Sequence, residues 1–238
     1  MISLRGVTFR YPDAAALDRI DFTWHPGERI AMMGPNGSGK TTLALLIKGL
    51  LNPTEGRIEI DGIAAAAAST SKVGIVFQNP EDQLAAATLE REAAFGLENR
   101  GLPRQEMAER VESILRQFGL WEYRRHPPHL LSGGQMQKLA LASTLVTQPD
   151  YLIFDESTSM LDPASRKDFL SSLKNLPLQT GVLFITQIAR EALDFPRLIV
   201  LVKGGIFYDG EPAGFFPRRE LTETAGVEPP VRFKLKRQ

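Results

Sequence analysis

Gly34 to Thr41 reads G-P-N-G-S-G-K-T, a spacing suited to cradling the triphosphate of a nucleotide together with Mg²⁺. Gly34, Gly37 and Gly39 let successive backbone N–H groups turn toward phosphate oxygens, with Pro35, Asn36 and Ser38 shaping the loop between them. Lys40 is placed to reach the β- and γ-phosphates, and the Thr41 hydroxyl to ligate Mg²⁺. The apolar run Arg29–Met33 leads in as a strand. Thr41–Leu50 leads out as a helix whose N-terminus adds partial positive charge. Average composition gives such a match by chance in roughly a few per cent of chains this long, and the strand–loop–helix context lowers that further.

A second element is Tyr151–Glu156, four apolar residues followed by two carboxylates. A buried strand of this kind delivers its acids to the C-terminal edge of a sheet, where α/β proteins bind ligands. There Asp155 would hold Mg²⁺, directly or through water, and Glu156 would deprotonate an attacking water as general base. Alone, an apolar run ending in Asp-Glu is a weak signal; beside a phosphate loop it is a strong one. A third element is Leu131–Gln135, L-S-G-G-Q, followed by the apolar helix Met136–Val146. Ser132 is a natural N-cap, and Gly133 and Gly134 leave N–H groups open to an anion ahead of Gln135. One nucleotide rarely needs two helix-start cradles, so the second is expected to face the γ-phosphate held by another subunit.

The elements that must position these residues follow an α/β pattern with a largely parallel sheet. Strands are expected at Ser3–Arg10, Ile20–Trp24, Arg29–Met33, Arg57–Ile60, Val73–Phe77, Tyr151–Asp155, Val182–Thr186, Leu198–Val202 and Ile206–Tyr208. Turn pairs Pro26-Gly27 and Asp61-Gly62 close the early strands, which suggests an antiparallel β flap beside the parallel core. Thr88–Asn99, Arg104–Phe118 and Ser132–Leu145 read as helices with no strand between them. The expected organisation is therefore a single domain: a nucleotide-binding core of residues 1–79 and 150–210, an inserted α-helical subdomain at 80–149, and a weakly specified appendage at 211–238. The alanine run Ala64–Ala68 reads as a short helix or a plain connection.

Composition narrows the function classes. Of 238 residues, 28 are Lys or Arg and 28 are Asp or Glu, so no global field draws the chain to nucleic acid. The end, with Arg232, Lys234, Lys236 and Arg237, is locally basic, and reads equally as a solvated tail or as a contact with anionic lipid or an acidic partner. There are no cysteines, which excludes disulfides and thiolate metal sites and fits a reducing compartment. Apolar runs such as Leu198–Val202 fall far short of the roughly 18 residues that span a bilayer, so any membrane part would come from another chain. His126 and His129, three apart, stand among Pro127 and Pro128 and are read as loop residues rather than metal ligands.

Taken together, these motifs and their order make the sequence similar to the ATP-binding cassette (ABC) family along nearly its whole length. The fold this implies is a P-loop NTPase core with a parallel sheet, an antiparallel β flap and an inserted helical subdomain. The resemblance adds Gln78, after a strand, as a Mg²⁺ ligand or water-positioning residue. It adds Tyr11 as the aromatic that stacks on adenine, Thr42 as part of the phosphate loop, and Asp162 at a dimer seam. It implies two ATP molecules sandwiched in a head-to-tail dimer of ABC ATPase subunits, of like or unlike chains. It also implies integral membrane transport subunits, and so a peripheral place on the cytoplasmic face of the membrane. Phe77–Gln83 (F-Q-N-P-E-D-Q), Ala94–Asn99, Ser159–Pro163 and Ala225–Pro229 most resemble the ATPase subunits of energy-coupling factor importers, which take up vitamins or cobalt and nickel ions. Other ABC importers and non-transport ABC regulatory ATPases are the alternatives.

Two positions depart from that pattern. Ser157 stands where Pro is usual, with little expected consequence. Gln187 stands where a histidine would contact the γ-phosphate. Glutamine can donate a hydrogen bond but cannot take a proton or carry positive charge, and losing one well-placed transition-state donor costs about 10²–10³ in rate. The expectation is a site that binds ATP and hydrolyses it slowly, while an intact L-S-G-G-Q completes the site of a non-identical partner. A deliberate His-to-Gln exchange that traps the ATP-bound state is the other reading.

Overall fold

Alternating polar and apolar residues at both ends of the chain's first 24 positions give a hairpin, β1 (Ile2–Tyr11) and β2 (Ala14–Trp24), in the computed structural model, which describes residues 1–235. The two strands pair antiparallel from Ile2 opposite Trp24 to Tyr11 opposite Ala14. β2 starts six residues before the expected Ile20, because its alanines, poor strand formers on their own, are recruited by pairing with β1. After β3 (Arg29–Met33) and α1 (Lys40–Ile47) the chain returns as β4 (Glu55–Ile60) on the other side of β1, with β5 (Ile63–Ala64) at the edge. The expected flap is this four-stranded antiparallel sheet, in the order β2-β1-β4-β5. The alanine run enters α2 (Ala65–Lys72), and the chain then moves on through β6 (Val73–Val76).

Contacts divide the molecule into two units. Met1–Val73, Asp150–Glu156 and the chain from Leu178 onward form the first; Gly74–Pro149 and Ser157–Pro177 form the second. The heart of the first unit is a run of buried parallel strands. β7 (Tyr151–Asp155), β8 (Gly181–Ile185), β3 and β9 (Arg197–Val202) lie parallel, and β10 (Gly205–Gly210) closes that edge antiparallel to β9. Every residue of β7 and β8 is buried, which is why both read as continuous apolar runs rather than alternating ones.

The residues after Asp209, expected to be weakly specified, are instead folded. Beyond α7 (Ala189–Ala192), which precedes β9, the chain's last part forms α8 (Pro212–Phe215), α9 (Arg219–Thr224) and α10 (Val231–Leu235). Phe215, Phe216, Ala225 and Val227 share one apolar cluster with Ala31 and Met33 of β3 and Ala189 and Ala192 of α7. Four prolines hid three short helices whose burial, not their periodicity, fixes them. Lys236 and Arg237 of the basic end lie outside the described residues.

The second unit is helical: α3 (Leu89–Glu98), α4 (Arg104–Gln117), α5 (Gly133–Leu145) and α6 (Pro163–Lys174). The first three match the expected helices. α6 was not read from sequence, although Asp162 and Pro163 are a start signal, an N-cap followed by proline at N1. His129 sits in a single 3₁₀ turn at Pro128–Leu130. Among the described residues no cluster of three or more His, Cys, Asp or Glu side chains could hold a metal.

Back in the first unit, one ion network pins β9 and β10 to the turn before β3. Arg197 donates to Asp209 Oδ1 and Oδ2 at 2.7 and 2.6 Å, to Glu28 Oε1 at 2.8 Å and to the Thr23 carbonyl at 3.0 Å. Its guanidinium also lies over the Phe22 ring, 5.4 Å from the centroid, and hydrogen bonds to Asp209 hold its pKa above the ordinary arginine range. The arginine and Glu28 are about one-quarter exposed, so the network ranks between surface and buried pairs. Arg197→Ala should cost about 1–3 kcal/mol in chemical denaturation, with Arg197→Lys recovering only part because a lysine cannot fork to both carboxylates.

Candidate functional site

The loop from Gly34 to Thr41 joins β3 to α1, and its backbone explains its glycines. Gly34, Gly37 and Gly39 have φ of +148°, +76° and +101°. A Cβ on Gly34 would also stand 2.1 Å from the Leu201 carbonyl oxygen, so no other residue fits at that point. α1 has Gly39 at its N-cap, with no side-chain cap and no acid in its first turn. Its leading N–H groups therefore have no side chain competing with an anion.

Lys40 is buried, 5% exposed. Its ammonium donates to the carbonyls of Gly34 and Pro35 at 2.9 and 3.0 Å and lies 3.8 Å from Glu156 Oε1. Burial holds its pKa below the ordinary value, with Glu156 and Asp155 pulling the other way. Asp155, at the end of β7, shows the reverse: burial raises its pKa, opposed by a hydrogen bond from the Thr41 side chain and by Lys40. Its Oδ1 is buried with no hydrogen-bond partner, as is the Ser38 hydroxyl. Orphaned polar atoms of this kind cost about 1–3 kcal/mol each.

Glu156 has a φ of +48°, a left-handed conformation uncommon outside glycine. Its N–H reaches across to the Ile185 carbonyl at 3.0 Å, which turns the side chain back over the loop. Gln187, just past β8, meets it there. The Gln187 amide nitrogen donates to Glu156 Oε1 at 2.9 Å and to Asn36 Oδ1 at 3.1 Å. Both amide protons are thus used, one on the carboxylate and one on the loop. Tyr11 is 43% exposed, packs edge-on to Phe9 at 4.9 Å and brings its hydroxyl to 3.4 Å from Thr42 Oγ1.

The first unit therefore gathers Tyr11, residues 34–42, Asp155, Glu156 and Gln187. Gln78, Ser132–Gln135 and Asp162 belong to the second unit. Gln78 is exposed and is presented by tethers on its neighbour. The Phe77 N–H donates to Gln83 Oε1 at 3.2 Å, and the Phe77 carbonyl accepts from Gln137 at 2.9 Å. Ser132 and Gln135 form a capping box, each side chain accepting the other's N–H. Gly134 is required by close packing, since a Cβ there would meet the Ser165 side chain at 2.7 Å. Asp162 caps α6 by accepting the N–H groups of Ala164 and Ser165, and hydrogen bonds from Ser165 hold its pKa low. Sequence reading missed two residues beside Gln187: Thr186 and Glu191, both buried and hydrogen-bonded to each other. A buried acid in a four-residue helix leaves no periodic signal.

A strand-end aspartate beside a phosphate loop, and a separate helical unit with a capped L-S-G-G-Q start, define an ATP-binding cassette. The family model for ABC transporters matches residues 17–159, and the chain belongs to that family. Two solved structures share its fold along most of its length. CbiO1 from Clostridium perfringens, part of the ABC transporter complex CbiONQ, has a TM-score of 0.81 at 30% identity, covering 100% of this chain and 98% of its own. A dimeric ATP-binding cassette in a post-hydrolysis state, bound to ADP and Pi, has a TM-score of 0.79 at 27% identity, covering 90% and 100%. Among sequence relatives, the energy-coupling factor transporter ATP-binding protein EcfA1 of Halalkalibacterium halodurans is 42% identical over 98% of this chain and 86% of its own length. The Bacillus subtilis protein of the same name is 39% identical over 99% and 87%. The chain thus falls in the family of energy-coupling factor transporter ATP-binding proteins, as its sequence resemblance implied.

The orphaned Asp155 Oδ1 gives a direct test of what this site is built for. Asp155→Asn removes a buried charge without changing shape, so the nucleotide-free fold should be at least as stable in thermal melts. Mg²⁺-dependent ATP binding should fall at least tenfold.

Proposed function

We propose that this chain binds Mg·ATP in its first unit and hydrolyses it slowly, as one ATPase subunit of an energy-coupling factor importer for vitamins or for cobalt or nickel ions. The observation that supports this most is the constellation at the loop: Lys40, Asp155 and Glu156 converge on it, and Gln187 ties Glu156 to Asn36. The residues present suit Mg²⁺. Asp155 Oδ1 has an unused acceptor position, the Thr41 hydroxyl is beside it, and too few protein ligands gather to hold a metal without phosphate oxygens, the usual mode for this ion. Thr41 and Asp155 would hold it. Bound there, Mg²⁺ would neutralise charge developing on the β- and γ-phosphates.

The roles of the chain's own groups follow. Lys40 exchanges the Gly34 and Pro35 carbonyls for the β- and γ-phosphates, and α1 supplies N–H groups to the same oxygens. Tyr11 offers its exposed ring to the adenine. Glu156 takes a proton from the attacking water. Gln187 keeps that carboxylate over the loop but brings no positive charge to the transferring phosphoryl group, and this limits the rate. Ser132, Gly133, Gly134 and Gln135 would face the γ-phosphate of a second, non-identical ATPase subunit arranged head to tail, with Asp162 at the seam. No helix among the described residues is long and apolar enough to cross a membrane. Integral membrane subunits would complete the transporter, with this chain peripheral on their cytoplasmic side.

ATP cleavage by the chain alone, by the chain with its partner subunit, and by Gln187→His tests this reading. Gln187→His should raise turnover by about tenfold or more, and Glu156→Gln should keep ATP binding and lose cleavage. Rapid turnover by the chain alone, unchanged in Gln187→His, would sink it.

A further inference from the structure

Gln187 is exposed, so no packing holds its side chain. A glutamine in solvent loses rotamer freedom on being fixed. Whether its amide reaches Glu156 and Asn36 therefore depends on how firmly the backbone aims it. The peptides on both sides of Gln187 are tethered. The Thr186 N–H donates to the Met32 carbonyl at 3.0 Å, tying the segment to β3. The Ile188 N–H donates to the Thr186 hydroxyl at 2.9 Å. That hydroxyl has a single proton, which it gives to Glu191 Oε2. With the proton so committed, the oxygen's lone pairs are left to face the Ile188 N–H. Glu191 is in turn held by its own N–H, which donates to the Ile188 carbonyl at 2.9 Å.

Thr186 is 2% and Glu191 5% exposed. An acid kept this deeply buried is costly unless its hydrogen bonds are needed.

We propose that the Thr186–Glu191 pair is a positioning device for Gln187, fixing the turn that aims its amide at Glu156 and Asn36. Both are positioning residues and act only through Gln187. The proposal rests on the reading of Glu156 and Gln187 as the pair that handles the attacking water.

The test is a double-mutant cycle on single-turnover ATP cleavage by the full chain, with ATP affinity measured alongside. Thr186→Val keeps the shape and removes the hydroxyl. It should lower the cleavage rate about tenfold or more while ATP affinity stays within about twofold, and Thr186→Ser should return most of the rate. Glu191→Ala should behave as Thr186→Val does. In a Gln187→Ala background neither change should cost anything further. If Gln187→Ala itself leaves cleavage untouched, the reading of the pair fails and this proposal with it. If Gln187→Ala slows cleavage but Thr186→Val has no effect, or takes the same factor in both backgrounds, the positioning proposal alone is overturned. Should both Thr186→Val and Glu191→Ala fail to fold, the pair is structural and the proposal is likewise overturned.

Discussion

A lysine buried at the start of α1 and an aspartate buried at the end of β7 set the terms for the whole first unit. Lys40 and Asp155 each sit where water would serve them better, and their pKa values are pushed in opposite directions by the same burial. Neither charge is fully answered by the protein. The lysine makes do with two carbonyls of its own loop, and one aspartate oxygen has no partner. Such a site gains from a ligand carrying both a polyanion and a divalent cation, because each supplies what one of the two residues lacks. The parallel sheet makes the arrangement possible, since its strands deliver their last residues to one edge and their helices start there.

The same economy governs Glu156. Its left-handed backbone carries a cost of order 1 kcal/mol or more, which the Ile185 hydrogen bond helps to hold. What the strain achieves is direction: the carboxylate is turned toward Lys40 and the Gln187 amide rather than continuing along β7. A glutamine serves well in this place as a bracket. Its two amide protons span a carboxylate and an asparagine at once, whereas a neutral imidazole has one N–H to give.

Much of this was legible in the sequence because the chemistry of phosphate binding leaves short local marks. Gly34–Thr41 could be read from spacing alone, and the buried strands around it from apolar runs. Elsewhere the sequence was mute for physical reasons. β2 is extended by its partner strand, not by its alanines. α6 begins at an aspartate and a proline that drew attention as a motif rather than as a helix start. The Thr186–Glu191 contact joins two residues that look ordinary in isolation and acquire meaning only when a turn buries them together. Gln187 was flagged by what it is not. Its bonds to Glu156 and Asn36 join segments far apart in the chain and exist only once the fold is formed.

The cluster under α7 has a further consequence. Phe215, Phe216, Ala225 and Val227 of the chain's last third share one apolar interior with Met33, the residue just before the loop, and with the helix just after Gln187. A shared interior means shared cooperativity: the segment after Asp209 cannot open without exposing the footing of the nucleotide loop. Ligand free energy released at Lys40 and Asp155 is therefore felt as protection of amides far along the chain, and the tail belongs to the same folding unit as the site.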